Sequence, residues 1–152
     1  MHTRARVSLL DATSEPMTAD ADPLNDTVWI VEDELAAAEL AADLCEAAGV
    51  PASVFRSPLP FLAALRGLST PRAVVLDWRL EHELSAALFL ATRHRFPELP
   101  VIYWTGSTAR ALPAMIRNDR LTRIVDKASG TSAFETALGW AMERPQHSPV
   151  DS

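Results

Sequence analysis

The chain has 152 residues, a length typical of one globular domain with a substantial core. Its 14 basic and 20 acidic residues give a formal net charge of −6, which argues against broad affinity for nucleic acid, since that binding needs a basic face. The single cysteine, Cys45, cannot form an internal disulfide, and no apolar run approaches the roughly 18 residues that span a bilayer. These features predict a cytoplasmic protein that binds neither nucleic acid nor membrane.

Both ends of the chain are predicted to lie outside the folded domain. Residues 1–26 are polar, marked by prolines and without periodicity, so we expect a flexible N-terminal tail. A short arm around Arg6–Leu10 that docks on a partner is the alternative, and Met17 is a candidate for the true start. Residues 144–152 are expected to form a C-terminal tail, which leaves residues 27–143 as the domain.

Five short apolar runs predict five strands. Each run is too short for a helix and most are rich in β-branched residues, which favours strands buried on both faces. A helical pattern follows each run before the next one begins. From the N-terminus, the predicted strands are Val28–Val31, Ala52–Phe55, Ala73–Leu76, Val101–Trp104 and Arg123–Val125.

Five helical segments alternate with these strands. Gly49 suits a left-handed stop for the first helix, while Ser57 and Pro58 suit the N-cap and the first position of the second. Pro113 belongs in the first turn of the fourth helix, because a proline deeper inside would remove a backbone hydrogen bond. In chain order, the predicted helices are Glu34–Ala48, 58–68, Glu83–Phe96, 110–118 and Thr131–Met142.

This alternation predicts an α/β fold. Right-handed crossovers would bring the strands into one parallel sheet with helices on both faces. The helical spacing also predicts which side chains face the sheet. They are Leu35, Ala38, Ala42, Cys45, Phe61, Leu62, Leu65, Leu84, Ala87, Leu88, Ala91, Phe134, Leu138 and Met142.

Polar residues stand at or just past the carboxyl ends of four predicted strands. They are Glu32 and Asp33 after the first strand, Asp77 after the third, Thr105 after the fourth and Lys127 after the fifth. The carboxyl ends of parallel strands share one edge of the sheet, and ligands bind at that edge. We therefore expect one pocket with three carboxylates, a hydroxyl and an ammonium, which suits a divalent cation and a phosphoryl group.

The stretches VWIVEDE, VVLDWRL, VIYWTGS and IVDKAS give the chain a resemblance to the receiver domain of bacterial two-component response regulators. The separations of 44 residues from Asp33 to Asp77, 28 to Thr105 and 22 to Lys127 also fit that family. The resemblance covers about residues 27–143. It implies a flavodoxin-like (βα)5 fold, a three-layer sandwich whose five-stranded parallel sheet has the order 2-1-3-4-5. It also implies a stand-alone phosphoprotein of a phosphorelay that is not an enzyme.

The resemblance assigns roles to three side chains. Asp77 would be the phosphoacceptor, since a carboxylate can attack phosphorus. Thr105 would donate its hydroxyl to a phosphoryl oxygen. Lys127, the only lysine in the chain, would pair with Asp77 at rest and with the phosphoryl oxygens afterwards.

The resemblance also implies a bound Mg²⁺, which takes hard oxygen ligands. Asp33 and Asp77 would supply carboxylate ligands, and Glu32 would bind directly or through a metal-bound water. The backbone carbonyl of Arg79 would complete the protein ligands.

A sensor histidine kinase or a phosphotransfer protein would donate the phosphate. The face formed by helix 4, strand 5 and helix 5 would then change its affinity for an unknown downstream protein, and a homodimer is also open. The alternative is a degenerate receiver that acts as a phosphorylation-independent protein-binding module. A phosphohydrolase of the haloacid dehalogenase type would need a second aspartate where Arg79 stands, and the three acids would repel the phosphate of a flavin carrier.

Two loops depart from the family pattern. Ala128 follows Lys127 where the family usually has a cis proline, so either the Lys127–Ala128 bond is trans in a rearranged loop or it is cis and strained. The loop after Asp77 lacks the usual proline and glycine. In it, Arg79 would shield the acyl phosphate, clamp a partner or point into solvent.

The aromatic residues depart from the pattern as well. Ile124 occupies the family's usual position for an aromatic switch. Tyr103 is the better candidate for that role, because strand alternation places it on the face of Thr105. Trp104 is predicted to belong to the core, and Trp140 to be a partner anchor or an ordinary half-buried helix residue.

Overall fold

The structure is a computed structural model that describes residues 22–80 and 82–144. Five parallel strands form one sheet in the order β2-β1-β3-β4-β5, which confirms the predicted flavodoxin-like (βα)5 topology. The strands are β1 Val28–Val31, β2 Ala52–Phe55, β3 Ala73–Leu76, β4 Val101–Thr105 and β5 Thr122–Asp126. The helices are α1 Leu35–Ala47, α2 Pro58–Leu65, α3 His82–Arg95, α4 Ala114–Arg117 and α5 Thr131–Met142.

The sheet separates two apolar layers. Successive side chains of a strand point to opposite faces, so each strand contributes to both layers. In β1, Trp29 and Val31 pack with residues of α2, α3 and α4, whereas Val28 and Ile30 pack with α1 and α5. This burial on both faces produces the predicted three-layer sandwich. Within the described part of the chain, no helix combines the length and the apolar character needed to cross a membrane.

Most of the predicted core side chains lie in these layers. The buried ones are Ala38, Ala42, Cys45, Phe61, Leu65, Leu88, Phe134 and Leu138. Leu62, Leu84, Ala91 and Met142 are partly buried. Leu35 was expected to face the sheet, but its side chain is 54% exposed. It is the first residue of α1 and lies at the edge where β1 has already ended, so no layer covers it.

The face of α3 that packs on the sheet is shifted by one position along the helix from the predicted face. Ala87 is exposed, while Ser85 and Phe89 are buried. The Ser85 hydroxyl donates to the backbone oxygen of Asp77 at 3.2 Å, and the ring of Phe89 packs against Tyr103 with centroids 6.4 Å apart. Burying an aromatic ring removes more apolar surface from water than burying a methyl group, so the helix turns this side inward.

The fourth helix is shorter than predicted and interrupted. A single 3₁₀ turn spans Ala109–Ala111, and α4 begins only at Ala114. Pro113 is the N-cap of α4, not a member of its first turn. Leu112 is extended, with ψ of 148°, because proline disfavours helical backbone in the residue before it.

Smaller differences affect other boundaries. Gly49 has φ of +82° just after α1, which confirms its predicted left-handed conformation. Ser57 is the N-cap of α2, although its side chain makes no capping hydrogen bond. Helix α2 ends at Leu65, before residue 68, and β4 and β5 extend beyond the predicted bounds.

The segment 22–26 is bonded to the domain, although its residues were assigned to the N-terminal tail. The backbone oxygen of Leu24 accepts hydrogen bonds from the indole of Trp29 and from the hydroxyl of Thr27, each at 2.9 Å. The side chain of Asn25 accepts from the backbone N–H of Thr70 at 2.9 Å. The suggestions for Arg6–Leu10, for Met17 and for residues 145–152 lie outside the described residues.

A buried guanidinium connects the end of α3 to the loop between α4 and β5. The Arg93 side chain is 17% exposed and donates from Nη1 to the backbone oxygen of Leu99 at 2.6 Å and of Phe96 at 3.1 Å. Its Nη2 donates to Asp119 at 2.7 Å, and the Thr122 hydroxyl donates to the same carboxylate oxygen at 2.6 Å. This network fixes the chain between α4 and β5.

We predict that Arg93→Met lowers the free energy of unfolding by about 2–4 kcal/mol, because it removes the positive charge paired with the partly buried Asp119 carboxylate and the donor to the Leu99 carbonyl. Urea unfolding measures the change. Arg120→Met is the matched control: Arg120 and Glu98 are 77% and 55% exposed, so this variant should lose less than about 1 kcal/mol. Equal losses in the two variants would contradict the prediction.

Candidate functional site

The carboxyl edge of the sheet holds a cavity of about 290 Å³. The order of the sheet places β3 beside both β1 and β4, so the residues that follow these strands converge although they are far apart in sequence. The cavity is lined by Glu32, Asp33, Glu34, Asp77, Arg79, Gly106 and Lys127. Every charged residue predicted for the site therefore lines one cavity.

Lys127 forms the central contact of this cavity. Its Nζ donates to Asp77 Oδ2 at 3.0 Å and to Glu32 Oε1 at 3.1 Å. The side chains of Glu32 and Asp77 are only 4% and 7% exposed, so both carboxylates depend on the ammonium for compensation of their charge. The ammonium joins the ends of β1 and β3 to the chain that follows β5.

The shared ammonium changes the proton affinity of its partners. Burial raises the pKa of Glu32, and this effect outweighs the opposing attraction of Lys127; the charge of Asp77 raises it further. Burial lowers the pKa of Lys127, but the hydrogen bond to Asp77 and the attraction of both carboxylates outweigh it and raise the pKa above its ordinary value. Lys127 is therefore charged at neutral pH.

The carboxylate of Asp77 is oriented on both sides. While Oδ2 accepts from Lys127, Oδ1 accepts from the backbone N–H of Arg79 at 3.0 Å. The backbone oxygen of Asp77 accepts from the Ser85 hydroxyl, which anchors the loop to α3. Sequence reasoning missed Ser85, because only the observed register of α3 shows that it faces β3.

Thr105 lies at the end of β4 but does not line the cavity. Its side chain is fully buried, and its hydroxyl oxygen accepts a hydrogen bond from the backbone N–H of Ser107 at 3.2 Å. Gly106 lines the cavity in its place. The Thr105 hydroxyl keeps its own hydrogen while its oxygen accepts from Ser107, so a donor role would require the buried side chain to gain access to the cavity.

Arg79 lies at the rim of the cavity. Its side chain is exposed, and its Nη1 would be 3.6 Å from a Cβ added at Gly106. The guanidinium thus spans the gap between the loops that follow β3 and β4. Among the three roles considered for Arg79, this position favours shielding over a side chain that points away into solvent.

The donor set of the cavity fits a hard divalent cation. Asp33 is exposed beside the buried Asp77, and both line the cavity with carboxylate oxygens. Across the residues that the structure describes, no group of three His, Cys, Asp or Glu is arranged to hold a metal ion. Mg²⁺ retains several waters and is commonly held by one or two carboxylates, so Asp33 and Asp77 are the carboxylates that would hold it here.

The Lys127–Ala128 bond is trans, since no described peptide bond is cis. Residues 127–129 form a 3₁₀ turn, and the Asp126 side chain accepts from the backbone N–H of Ala128 at 2.8 Å. Of the two alternatives from the sequence, the structure therefore has the trans bond in a rearranged loop and not the strained cis bond.

The aromatic residues near the site are largely buried. Tyr103 is fully buried, its hydroxyl donates to the backbone oxygen of Ser85 at 3.3 Å, and burial raises its pKa. Trp104 is 4% exposed, as a core residue should be. Trp140 is half-buried, with Arg123 stacked 4.3 Å from the centre of its ring.

Comparison with solved structures identifies a receiver-like fold. The structure of a response regulator receiver protein from Sinorhizobium medicae is 17% identical and matches with a TM-score of 0.66 over 78% of this chain and 94% of its own. A receiver domain protein from Bacillus halodurans is 18% identical, with a TM-score of 0.64 over 80% and 99%. One from Methanospirillum hungatei is 16% identical, with a TM-score of 0.67 over 78% and 94%. No family model and no curated protein matches the sequence.

We predict that Glu32 makes a contribution to the stability of the metal-free protein that is lost as pH rises above about 4.5, and that Glu32→Gln removes this contribution. The folded state raises the pKa of Glu32 above its ordinary value of 4.5 and so binds this proton more tightly than the unfolded state does. The contribution of Glu32 to the free energy of unfolding therefore decreases as pH rises from that value through the raised pKa.

Urea unfolding in the presence of a chelator, from about pH 4.5 to pH 8, measures this difference. The Gln side chain can still accept from Lys127, so the variant removes the ionisation and keeps the contact. Glu135→Gln, an exposed site on α5, is the control and should follow the wild type. Parallel curves for wild type and Glu32→Gln would contradict the assignment.

Proposed function

We propose that this chain is a response regulator whose Asp77 accepts a phosphoryl group. The observation that carries the proposal is the position of the Lys127 ammonium, 3.0 Å from the buried Asp77 carboxylate at the carboxyl edge of a receiver-like sheet. A cation held there offsets the repulsion between a carboxylate and the anionic oxygens of a phosphoryl donor.

The reaction transfers one phosphoryl group. An oxygen of Asp77 forms a bond to phosphorus while the bond between phosphorus and the donor breaks, and the donor leaves with that electron pair. Lys127 moves its hydrogen bond from the carboxylate to a phosphoryl oxygen, where it compensates the added charge. Asp33, Asp77 and the backbone carbonyl of Arg79 would hold Mg²⁺, and Glu32 would bind it directly or through a water. The bound ion would compensate the negative charge of the phosphoryl oxygens.

Thr105 would form a hydrogen bond to the added phosphoryl group. Its hydroxyl donates its own hydrogen to a phosphoryl oxygen while its oxygen still accepts from the Ser107 N–H, and this new bond draws the loop after β4 towards the site. Together with the movement of Lys127, this change biases the face of α4, β5 and α5 between two arrangements. The downstream protein recognises one arrangement, and a homodimer through the same face is a further form of the output.

The donor in this proposal is a sensor histidine kinase or a phosphotransfer protein in the cytoplasm. A second candidate function is a binding module that has lost phosphate transfer. One observation favours it, namely that the side chain of Thr105 is fully buried and does not line the cavity. The two functions differ in whether Asp77 takes up phosphate.

Incubation with acetyl phosphate and Mg²⁺ is expected to add the mass of one phosphoryl group, as measured by intact-protein mass spectrometry. Asp77→Asn should abolish the adduct, because an amide oxygen does not attack phosphorus. Asp26→Asn is the matched control and should keep the adduct, since Asp26 precedes β1 at the opposite edge of the sheet. Absence of an adduct and of divalent-ion binding would favour the binding module, and release of phosphate over many turnovers would indicate a hydrolase.

We expect Arg79→Ala to shorten the lifetime of the phosphorylated form by roughly three- to tenfold, because the guanidinium at the rim shields the acyl phosphate and compensates its charge. The decay of the adduct after removal of acetyl phosphate gives the lifetime. Arg79→Lys retains the charge and should have a smaller effect. The backbone carbonyl is unchanged in both variants, so the affinity for Mg²⁺ should not fall; an unchanged lifetime in Arg79→Ala would refute the shielding role.

A further inference from the structure

The side chain of Lys127 needs support along its length as well as at its ammonium. Four methylene groups separate the backbone from Nζ, and the loop that carries them has Ala128 in place of a proline. The Asp126 cap and the 3₁₀ turn fix the backbone of residues 127–129 but not the direction of the side chain. The two carboxylate bonds act only at its tip.

Trp104 supplies a surface on the remaining side of the ammonium. Lys127 Nζ lies 5.4 Å from the centre of the Trp104 ring, within the range of a cation–π contact. The indole is itself held in place, because it is 4% exposed and packs on Phe134 of α5 with centroids 5.0 Å apart. A rigid ring is thus fixed beside a flexible ammonium.

Hydrogen bonding does not explain a tryptophan at position 104. Its buried indole N–H has no hydrogen-bond partner among the described residues, whereas the indole of Trp29 donates to the backbone of Leu24. A buried N–H without a partner costs free energy that a phenylalanine or leucine would not cost. Contact between the ring face and the ammonium offsets this cost, and the indole has the strongest cation–π face of the common side chains.

We propose that Trp104 is a positioning residue for Lys127, whose ring face holds the ammonium against Glu32 and Asp77 in a loop without proline. The contact is not directional within the plane of the ring, so the ammonium can move over the indole when its hydrogen bond passes to a phosphoryl oxygen. The inference rests on the proposed function only for the consequence of this placement; the placement itself is a property of the protein without phosphate.

Because Lys127 is the only lysine, the full chain labelled with ¹³C-lysine gives one set of lysine side-chain NMR signals. We expect the protons on Cε of Lys127 to lie upfield of free lysine, since Cε is bonded to the Nζ that lies over the indole ring, and to show nuclear Overhauser contacts to indole protons. Trp104→Leu should move them to the position of free lysine. Trp104→Phe should retain part of the shift, because it preserves an aromatic face.

Trp140→Leu is the matched control, since it removes a tryptophan whose ring is stacked by Arg123 and Arg144 and not by Lys127. It should leave the lysine signals unchanged. Cε protons at the free-lysine position in the wild type, or unmoved in Trp104→Leu, would overturn the proposal. If Trp104→Leu does not fold, the wild-type Overhauser contacts and Trp104→Phe decide the question in the same way.

The consequence for function is tested separately. Phosphorylation by acetyl phosphate should slow about two- to fivefold in Trp104→Leu and recover in Trp104→Phe. If the wild type takes up no phosphate while the lysine signals move as expected, the proposed function fails and the positioning role stands. If phosphate is taken up but the lysine signals do not depend on Trp104, the proposed function stands and the positioning role fails.

Discussion

The arrangement at the carboxyl edge depends on one ammonium shared by two buried carboxylates. Glu32 and Asp77 are close enough to bind the same Nζ, and without it each would raise the cost of ionising the other. Lys127 reduces that cost but leaves a net negative charge, to which the exposed Asp33 adds. The charge compensation within the buried pair thus depends on the single lysine of a chain whose other basic residues are arginines and histidines.

Parallel topology is what makes this arrangement possible. Lys127 is separated from Glu32 by 95 residues and from Asp77 by 50, yet both contacts are direct. The strands need only bury their apolar residues in the order observed for their ends to meet, so the energy that builds the core also assembles the site. Structures 16–18% identical to the chain share its fold, whereas function depends on the residues that the fold brings together at this edge.

Much of the fold could be predicted from the sequence, because strand burial leaves a strong local signal. The limits of β1, β2, β3 and α5 agree with the prediction. The register of α3 could not be predicted, since burial of Phe89 and Ser85 depends on partners in β3 and β4. The spacing of the site residues correctly placed the charged groups around one cavity. The burial of Thr105 and the bond that its hydroxyl accepts from Ser107 could not be predicted, because they depend on how the loop after β4 folds.

The network around Arg93 has a mechanical consequence. It anchors the chain just after α4, because Asp119 is bonded to both Arg93 and Thr122. At the other end of α4, the extended Leu112 and Pro113 interrupt the helical hydrogen bonds. Leu112 is nevertheless buried, and its backbone oxygen accepts from Arg117 Nε at 2.9 Å, so this end of α4 is tied to the domain as well. Any displacement of α4 would therefore have to break bonds at one of its two ends.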